Sequence, residues 1–224
     1  MSEFNSKIIA QKCQKLADEI SAWVQLDKDL YNAFASVERE IFTPKGFKHQ
    51  AYKLDPLPLS QDQWISSPLT VAKMTLALEI DKSVDSVLEI GCGSGYQAAI
   101  LSKIIRRVFT IERIEPLLLE AKKCFKTLGI SNIHTRFDDG QKGWRDYAPY
   151  DRILLSASIK EIPQALFDQL SEGGILAAPM EISSSSSEQG VSQLITQFIK
   201  TKNGIRIKTL EECLFVPILN GISR

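Results

Sequence analysis

The sequence predicts an α/β fold: a doubly wound, mainly parallel sheet of seven strands covered by helices, with an N-terminal helical cap. Three observations carry the prediction. From Ser86 onward, short runs of apolar and branched residues alternate with stretches of helical period. The first of these runs passes directly into a turn with Gly91, Gly93 and Gly95 at alternate positions, as a strand feeding a helix past a close ligand requires. Near the C-terminus, Lys202-Asn203-Gly204 separates two apolar runs and predicts a hairpin.

Apolar residues at helical spacing predict a first helix over 6–24 and a second from Lys28 to Val37 that continues toward Arg39. Pro44, Pro56, Pro58 and Pro68 keep 42–68 irregular. Phe42, Phe47, Tyr52, Leu54, Leu57 and Trp64 give that stretch too much apolar surface for disorder, so a long connection of this kind is expected to be functional. A helix over 69–78 then leads into the core. There the pattern predicts strand 86–90, helix 96–105, strand 108–112, helix 115–128, strands 133–137 and 152–156, helix 163–170 and strand 175–179. The hairpin strands are 194–200 and 205–209, preceded by five serines, Ser183 to Ser187, that read as a flexible flap or an inert insertion.

At 224 residues and 44% hydrophobic content the chain can bury a sizeable core as one domain. Lys plus Arg and Asp plus Glu both number 27, so no net field draws it to nucleic acid or an anionic membrane. Cys13, Cys92, Cys124 and Cys213 show no paired spacing of a metal site or disulfide framework, and a reducing cytoplasm fits them. The start of the chain lacks an apolar h-region and no apolar run reaches membrane-spanning length.

The glycine turn is built to receive an adenosyl group, but not a dinucleotide. A nicotinamide fingerprint needs G-x-G-x-x-G, and Tyr96 occupies the place of its third glycine. The form found here, with Glu89 two residues before Gly91, resembles the first motif of class I methyltransferases that use S-adenosyl-L-methionine. An acid such as Glu89 can help to fix that ligand's ammonium. Glu112 ends the second core strand, 23 residues after Glu89, where an acid faces ribose hydroxyls and can accept from both. Taken alone, Glu112 reads as a solvated acid paired with Arg113.

Over nearly its whole length the chain resembles the protein-L-isoaspartate O-methyltransferases. VEREIFTP from Val37 to Pro44 looks like that family's V-P-R-E-x-F-V-P signature, and DQWISSP from Asp62 to Pro68 stands in the place of its G-Q-T-I-S-x-P segment. VLEIGCGSGYQAAIL, ERI, FDDGQKGW, APYDRILLSAS and IPQALFDQLSEGGILAAPM follow in order, and LFVPI from Leu214 to Ile218 closes the pattern.

The resemblance implies a class I S-adenosyl-L-methionine-dependent fold, with 1–80 as helical cap and substrate-side segment and 81–224 as cofactor-binding core of one domain. It implies methyl transfer to the free carboxylate of L-isoaspartyl residues in damaged proteins or peptides by a cytoplasmic monomer. By motif position, Ile65, Ser66, Glu89, Gly91, Gly93, Ser94, Gly95, Glu112, Arg113, Asp139 and Gly140 carry over as cofactor residues. Ser66 is the hydroxyl beside the transferring methyl, with helix N-capping before Pro68 as an additional role. Without the family, Asp138-Asp139-Gly140 reads as an ordinary turn. Gln193 occupies the place of a family glutamine near the active site.

The departures fall on the substrate side. Asp62 and Trp64 replace the family's Gly and Thr, adding a carboxylate that would repel the substrate's own and an indole that could fill open space. Arg152 replaces an apolar residue in a core strand. His49 and His134 show no ligand spacing, Cys92 reads as a small buried side chain, and Trp144 as a packing residue. Two other readings stay open: a methyltransferase of this fold with an RNA, peptide or small-molecule acceptor, and a silent cofactor-binding module plugged by Trp64. Against amino-group chemistry, Ser156-Ala157-Ser158-Ile159 stands where an N-P-P-Y type motif would be.

Overall fold

Alternate residues of the central strands enter two different cores, which fixes the sheet as a layer with helices on both sides. In the computed structural model, which describes residues 3–182 and 192–224, β3 (Ser86–Ile90) sends Val87 to one cluster and Leu88 and Ile90 to the other. In β4 (Arg107–Glu112) the same division separates Val108 from Phe109 and Ile111. The cap helices α1 (Glu3–Ser21) and α2 (Lys28–Ser36) pack into the first cluster through Leu16, Ile20, Leu30 and Phe34. That cluster also takes α3 (Pro68–Leu76), α4 (Tyr96–Leu101) and α5 (Glu115–Thr127). The second cluster is closed by α6 (Gln164–Asp168) through Leu166.

With β5 (Ile133–Phe137), β6 (Tyr150–Leu155), β7 (Leu170–Ile182), β8 (Ser192–Thr201) and β9 (Gly204–Cys213), the seven-stranded sheet runs β5-β4-β3-β6-β7-β8-β9. The first five strands pair parallel and the last two join as antiparallel neighbours. Strand order reverses between β3 and β6, which opens a crevice beyond their carboxyl ends. A separate two-stranded ribbon, β1 (Leu57–Pro58) with β2 (Trp64–Ile65), lies in the substrate-side stretch.

The predicted elements differ from the observed ones mainly at their ends. Helix 96–105 stops at Leu101 and finishes in turns, and strand 175–179 extends to Leu170–Ile182 because β8 pairs along its far half. The stretch 42–68 holds 3-10 turns and the ribbon. Ser183 to Ser187 lie outside the described residues.

Arg152 has a structural explanation. Its buried guanidinium donates to the carbonyls of Leu78, Glu79 (2.9 Å) and Asp151 (2.8 Å), and Gln197 adds a bond to Ala77 O at 2.7 Å. Together they satisfy the carbonyls of the turn that follows α3. Trp144 packs edge-on against Phe109 at 5.7 Å, and His134 stacks on the same ring at 5.0 Å. Cys92 is buried, and burial pushes its thiol well up.

Candidate active site

The loop after β3 is pinned from below and open above. Gly91 N and Cys92 N both donate to Ile111 O, at 2.9 and 3.1 Å, and Gly95 N closes back on Cys92 O at 2.9 Å. Gly95 has φ 89°, and a Cβ there would lie 2.7 Å from the Phe125 ring, so only glycine lets α4 start this close to α5. Gly93 has φ 53° and nothing within 4 Å of an added Cβ. Ser94 Oγ accepts from Tyr96 N at 3.3 Å.

Two acids stand at the crevice floor in different environments. Glu89 is fully buried and accepts from Thr110 Oγ1 at 2.6 Å and Ser156 Oγ at 3.3 Å. Burial raises its carboxyl to about 8, more than these hydrogen bonds lower it, and nearby Glu112 adds to the rise. Glu112 Oε2 accepts from Gly93 N at 2.7 Å and its Oε1 from Ile114 N at 2.9 Å. Burial pushes this carboxyl up as well, opposed by those backbone N–H groups. Glu112 is therefore not the solvated partner of Arg113. It braces the glycine loop, with a second lone pair on each oxygen left for a ligand.

The Glu89 shift carries a consequence for the ligand-free protein. Its folded value of about 8 lies above the ordinary 4.5, so the folded protein holds a proton that the unfolded chain releases in that window. Stability therefore falls as pH rises from about 5 to 8. Glu89→Gln is expected to lose less stability over this range than the native chain, by on the order of a few kcal/mol, in urea denaturation. Equal pH slopes would show Glu89 ionised throughout.

On the far wall, Asp139 Oδ1 accepts from Gln141 N at 3.1 Å and Oδ2 from Gly221 N at 2.9 Å. Asp139 thus caps a turn, as the ordinary reading had it, and also ties down the chain's last segment. Gly140 is buried, and a Cβ there would fall 2.5 Å from Ile90 Cγ2.

The roof comes from the ribbon and the C-terminal strap. Gln61 and Asp62 have φ 62° and 55°, two successive left-handed residues of the kind a type I′ hairpin turn requires. Asp62 sits exposed at this tip and does not line the cavity, so its expected repulsion of substrate is corrected: it occupies the turn's left-handed position, which Asp tolerates. Trp64, 54% exposed, does line the cavity, as do buried Ile65 and half-buried Ser66. The cap of α3 is Ser67, whose Oγ accepts from Thr70 N at 3.0 Å, so the capping role expected of Ser66 belongs to its neighbour.

Gln193 is also corrected. Its amide donates to Phe215 O at 3.0 Å and accepts from Phe215 N at 2.7 Å, tying β8 to the strap, and it does not line the cavity. Ser158 pairs with the strap in turn, donating from N to Val216 O and accepting from Ile218 N, both at 2.8 Å. Arg113 lines the cavity and donates from Nε to Gly221 O at 2.9 Å.

Sequence reasoning missed Ser156 and the strap residues Phe215 to Leu219, which line this site, and Thr110, which bonds Glu89. The β3–β4 register, which sets Glu89 beside Thr110, was the available signal for one of them.

Together these walls enclose about 1000 Å³ of empty space, the open mouth included. Acids at two strand ends, an open Gly93 and an apolar roof fit an adenosyl ligand that carries an ammonium.

The model of the family "Protein-L-isoaspartate(D-aspartate) O-methyltransferase (PCMT)" matches residues 11–223. A protein-L-isoaspartate O-methyltransferase of Helicobacter pylori (strain J99 / ATCC 700824) is 56% identical over 208 residues, covering 92% of this chain and 96% of its own. A solved protein-L-isoaspartate O-methyltransferase superposes with a TM-score of 0.82 at 25% identity, over 93% of this chain and 66% of that one. A second, from Plasmodium falciparum and in complex with S-adenosyl-L-homocysteine, gives 0.77 at 22% identity, over 92% and 98%, and supports the fold. With the site's geometry these matches place the chain: it belongs to the protein-L-isoaspartate O-methyltransferase family.

Proposed function

We infer that the chain transfers a methyl group from S-adenosyl-L-methionine to the free carboxylate of L-isoaspartyl residues in damaged proteins. The observation that carries this reading is the cavity itself, in which Ser66 and Trp64 of the substrate-side segment share one space with Glu89, Gly93 and Glu112 of the cofactor side. When bound, S-adenosyl-L-methionine supplies an electrophilic methyl on a sulfonium.

The residues need to do little beyond holding and drying. The attacking carboxylate has a reference pKa of about 4, so it arrives ionised and requires no general base. Glu89, held by Thr110 and Ser156, would hold the ligand's ammonium as a carboxylate, its proton passing to solvent. Glu112 accepts from the ribose hydroxyls while its other lone pairs keep Gly93 in place. Asp139, beside Gly140, accepts from the adenine amine, and Arg113 with Ser94 completes the rim. Ser66 donates from its hydroxyl to the substrate carboxylate and aligns it, while Ile65 and Trp64 form an apolar wall that, with the strap, excludes water. Gln193 holds that strap, and Asp62 shapes the ribbon's turn. The ester formed on the substrate closes to a succinimide as the backbone nitrogen displaces methanol, and water reopens the ring in part to normal aspartate.

The four free cysteines favour a cytoplasmic setting, and the chain is proposed to act as a monomer and a single domain. Among the described residues no helix is long and apolar enough to cross a membrane. The test is transfer of labelled methyl to an isoaspartyl peptide and to its normal aspartyl counterpart. Saturable labelling of the first alone is expected. No labelling of either, with cofactor still bound, would sink the isoaspartyl reading.

A further inference from the structure

Arg39 is fully buried, and among the described residues no carboxylate forms an ion pair with it. A buried unpaired charge costs several kcal/mol unless dipoles compensate it. Here backbone carbonyls do so. Nη1 donates to Ala51 O at 2.9 Å and Lys53 O at 3.2 Å, and Nη2 donates to Asp55 O at 3.4 Å and Ser66 O at 3.0 Å. These four acceptors bracket the chain that leads into the ribbon and the residue that leaves it. The guanidinium also lies over the Tyr96 ring, 5.4 Å from its centroid. Tyr96 is the first residue of α4, directly after Gly95, and lines the cavity. Phe42 wedges the same ring edge-on at 5.6 Å.

One planar group therefore touches the substrate-side segment at four points and the cofactor loop at a fifth. A lysine could not reproduce this, having a single nitrogen and no plane to stack. A purely packing role would be served more cheaply by an apolar side chain. We propose that Arg39 is the positioning residue of the site, setting Ser66 and the ribbon against the cofactor loop so that the acceptor carboxylate meets the methyl. The role of Ser66 rests on the function inferred above; the clamp itself does not.

The experiment uses the full chain with Arg39→Lys and Arg39→Met, each alone and combined with Ser66→Ala, and counts folded protein by S-adenosyl-L-homocysteine binding. Per binding site, kcat/KM for an isoaspartyl peptide is expected to fall roughly 10²-fold in each Arg39 variant, the scale for a misplacement of about 1 Å. Affinity for S-adenosyl-L-homocysteine should stay within about threefold, since the glycine loop keeps its own bonds. With Ser66→Ala added, the loss should be much smaller than the product of the two single losses. Losses that multiply, or variants with native kcat/KM, would overturn the proposal. Hydrogen exchange reads the clamp independently of substrate: amides of 51–66 should exchange at least about tenfold faster in Arg39→Met while 86–96 stay protected. Unchanged exchange over 51–66 would also overturn it. A native chain inactive on the peptide would defeat the isoaspartyl reading alone, with the exchange arm still deciding the role of Arg39.

Discussion

Replacing Gly95 with alanine is expected to lower stability by about 2–4 kcal/mol, the sum of a left-handed backbone penalty and an overpacked contact. The backbone is at φ 89°, and the new methyl would sit 2.7 Å from the Phe125 ring and 3.1 Å from Ala121 Cβ. Neither neighbour yields easily, because Phe125 and Ala121 lie in the core between α5 and the sheet. For a chain of this size that corresponds to a fall in Tm of roughly 10 °C by calorimetry. Gly93→Ala is the control: it has the same backbone sign, at φ 53°, but no neighbour within 4 Å. Its stability should drop by only about 1 kcal/mol, while cofactor affinity suffers more, because the methyl enters the open side of the loop. Equal losses of stability in both would mean that α4 and α5 are further apart than described.

Glu112→Ala is expected to weaken S-adenosyl-L-homocysteine binding by on the order of 2–3 kcal/mol, or roughly 30- to 150-fold. Two losses add: the acceptor for the ribose hydroxyls, and the brace on Gly93 N and Ile114 N, which leaves one part-buried and one buried donor unpaired. Glu112→Gln keeps one acceptor oxygen and should fall between. Titration calorimetry separates the three proteins, and affinity within threefold of native in Glu112→Ala would remove this acid from the ribose site.

The core of this molecule was legible because its strands must be apolar on both faces and its glycines must sit where backbone meets ligand. Ser86–Ile90, buried throughout, coincides with its predicted strand, and Glu89 and Glu112 lie at the cavity as two strand-end acids should. What stayed hidden depends on contacts distant in sequence. Nothing in VEREIFTP says that Arg39 reaches carbonyls 12 to 27 residues away. Arg152 looked like a defect in an apolar strand because its acceptors, Leu78 and Glu79, are more than 70 residues earlier. Gln193, in the place of a family glutamine, and Asp62, in the place of a family glycine, both read as substrate-side residues, yet one side chain bonds Phe215 and the other crowns a turn. Position in a motif gave location; only the hydrogen-bond partners gave the task. The two serines before Pro68 make the same point: the motif assigns the cap to Ser66, whereas Thr70 N donates to Ser67 Oγ instead.

The central claim is that this site aligns a carboxylate already ionised and uses no general base. His134 is stacked on Phe109 beside Tyr147, and neither it nor His49 lines the cavity. The direct measurement is the single-turnover rate of methyl transfer to an isoaspartyl peptide as a function of pH, with saturating S-adenosyl-L-methionine. Saturation matters because the raised carboxyl of Glu89 couples cofactor binding to pH. The rate is predicted to vary by less than about threefold between pH 6 and 8, and to do so equally in His49→Gln and His134→Gln. A tenfold limb centred near pH 6.5 that disappears in either histidine variant would contradict the account.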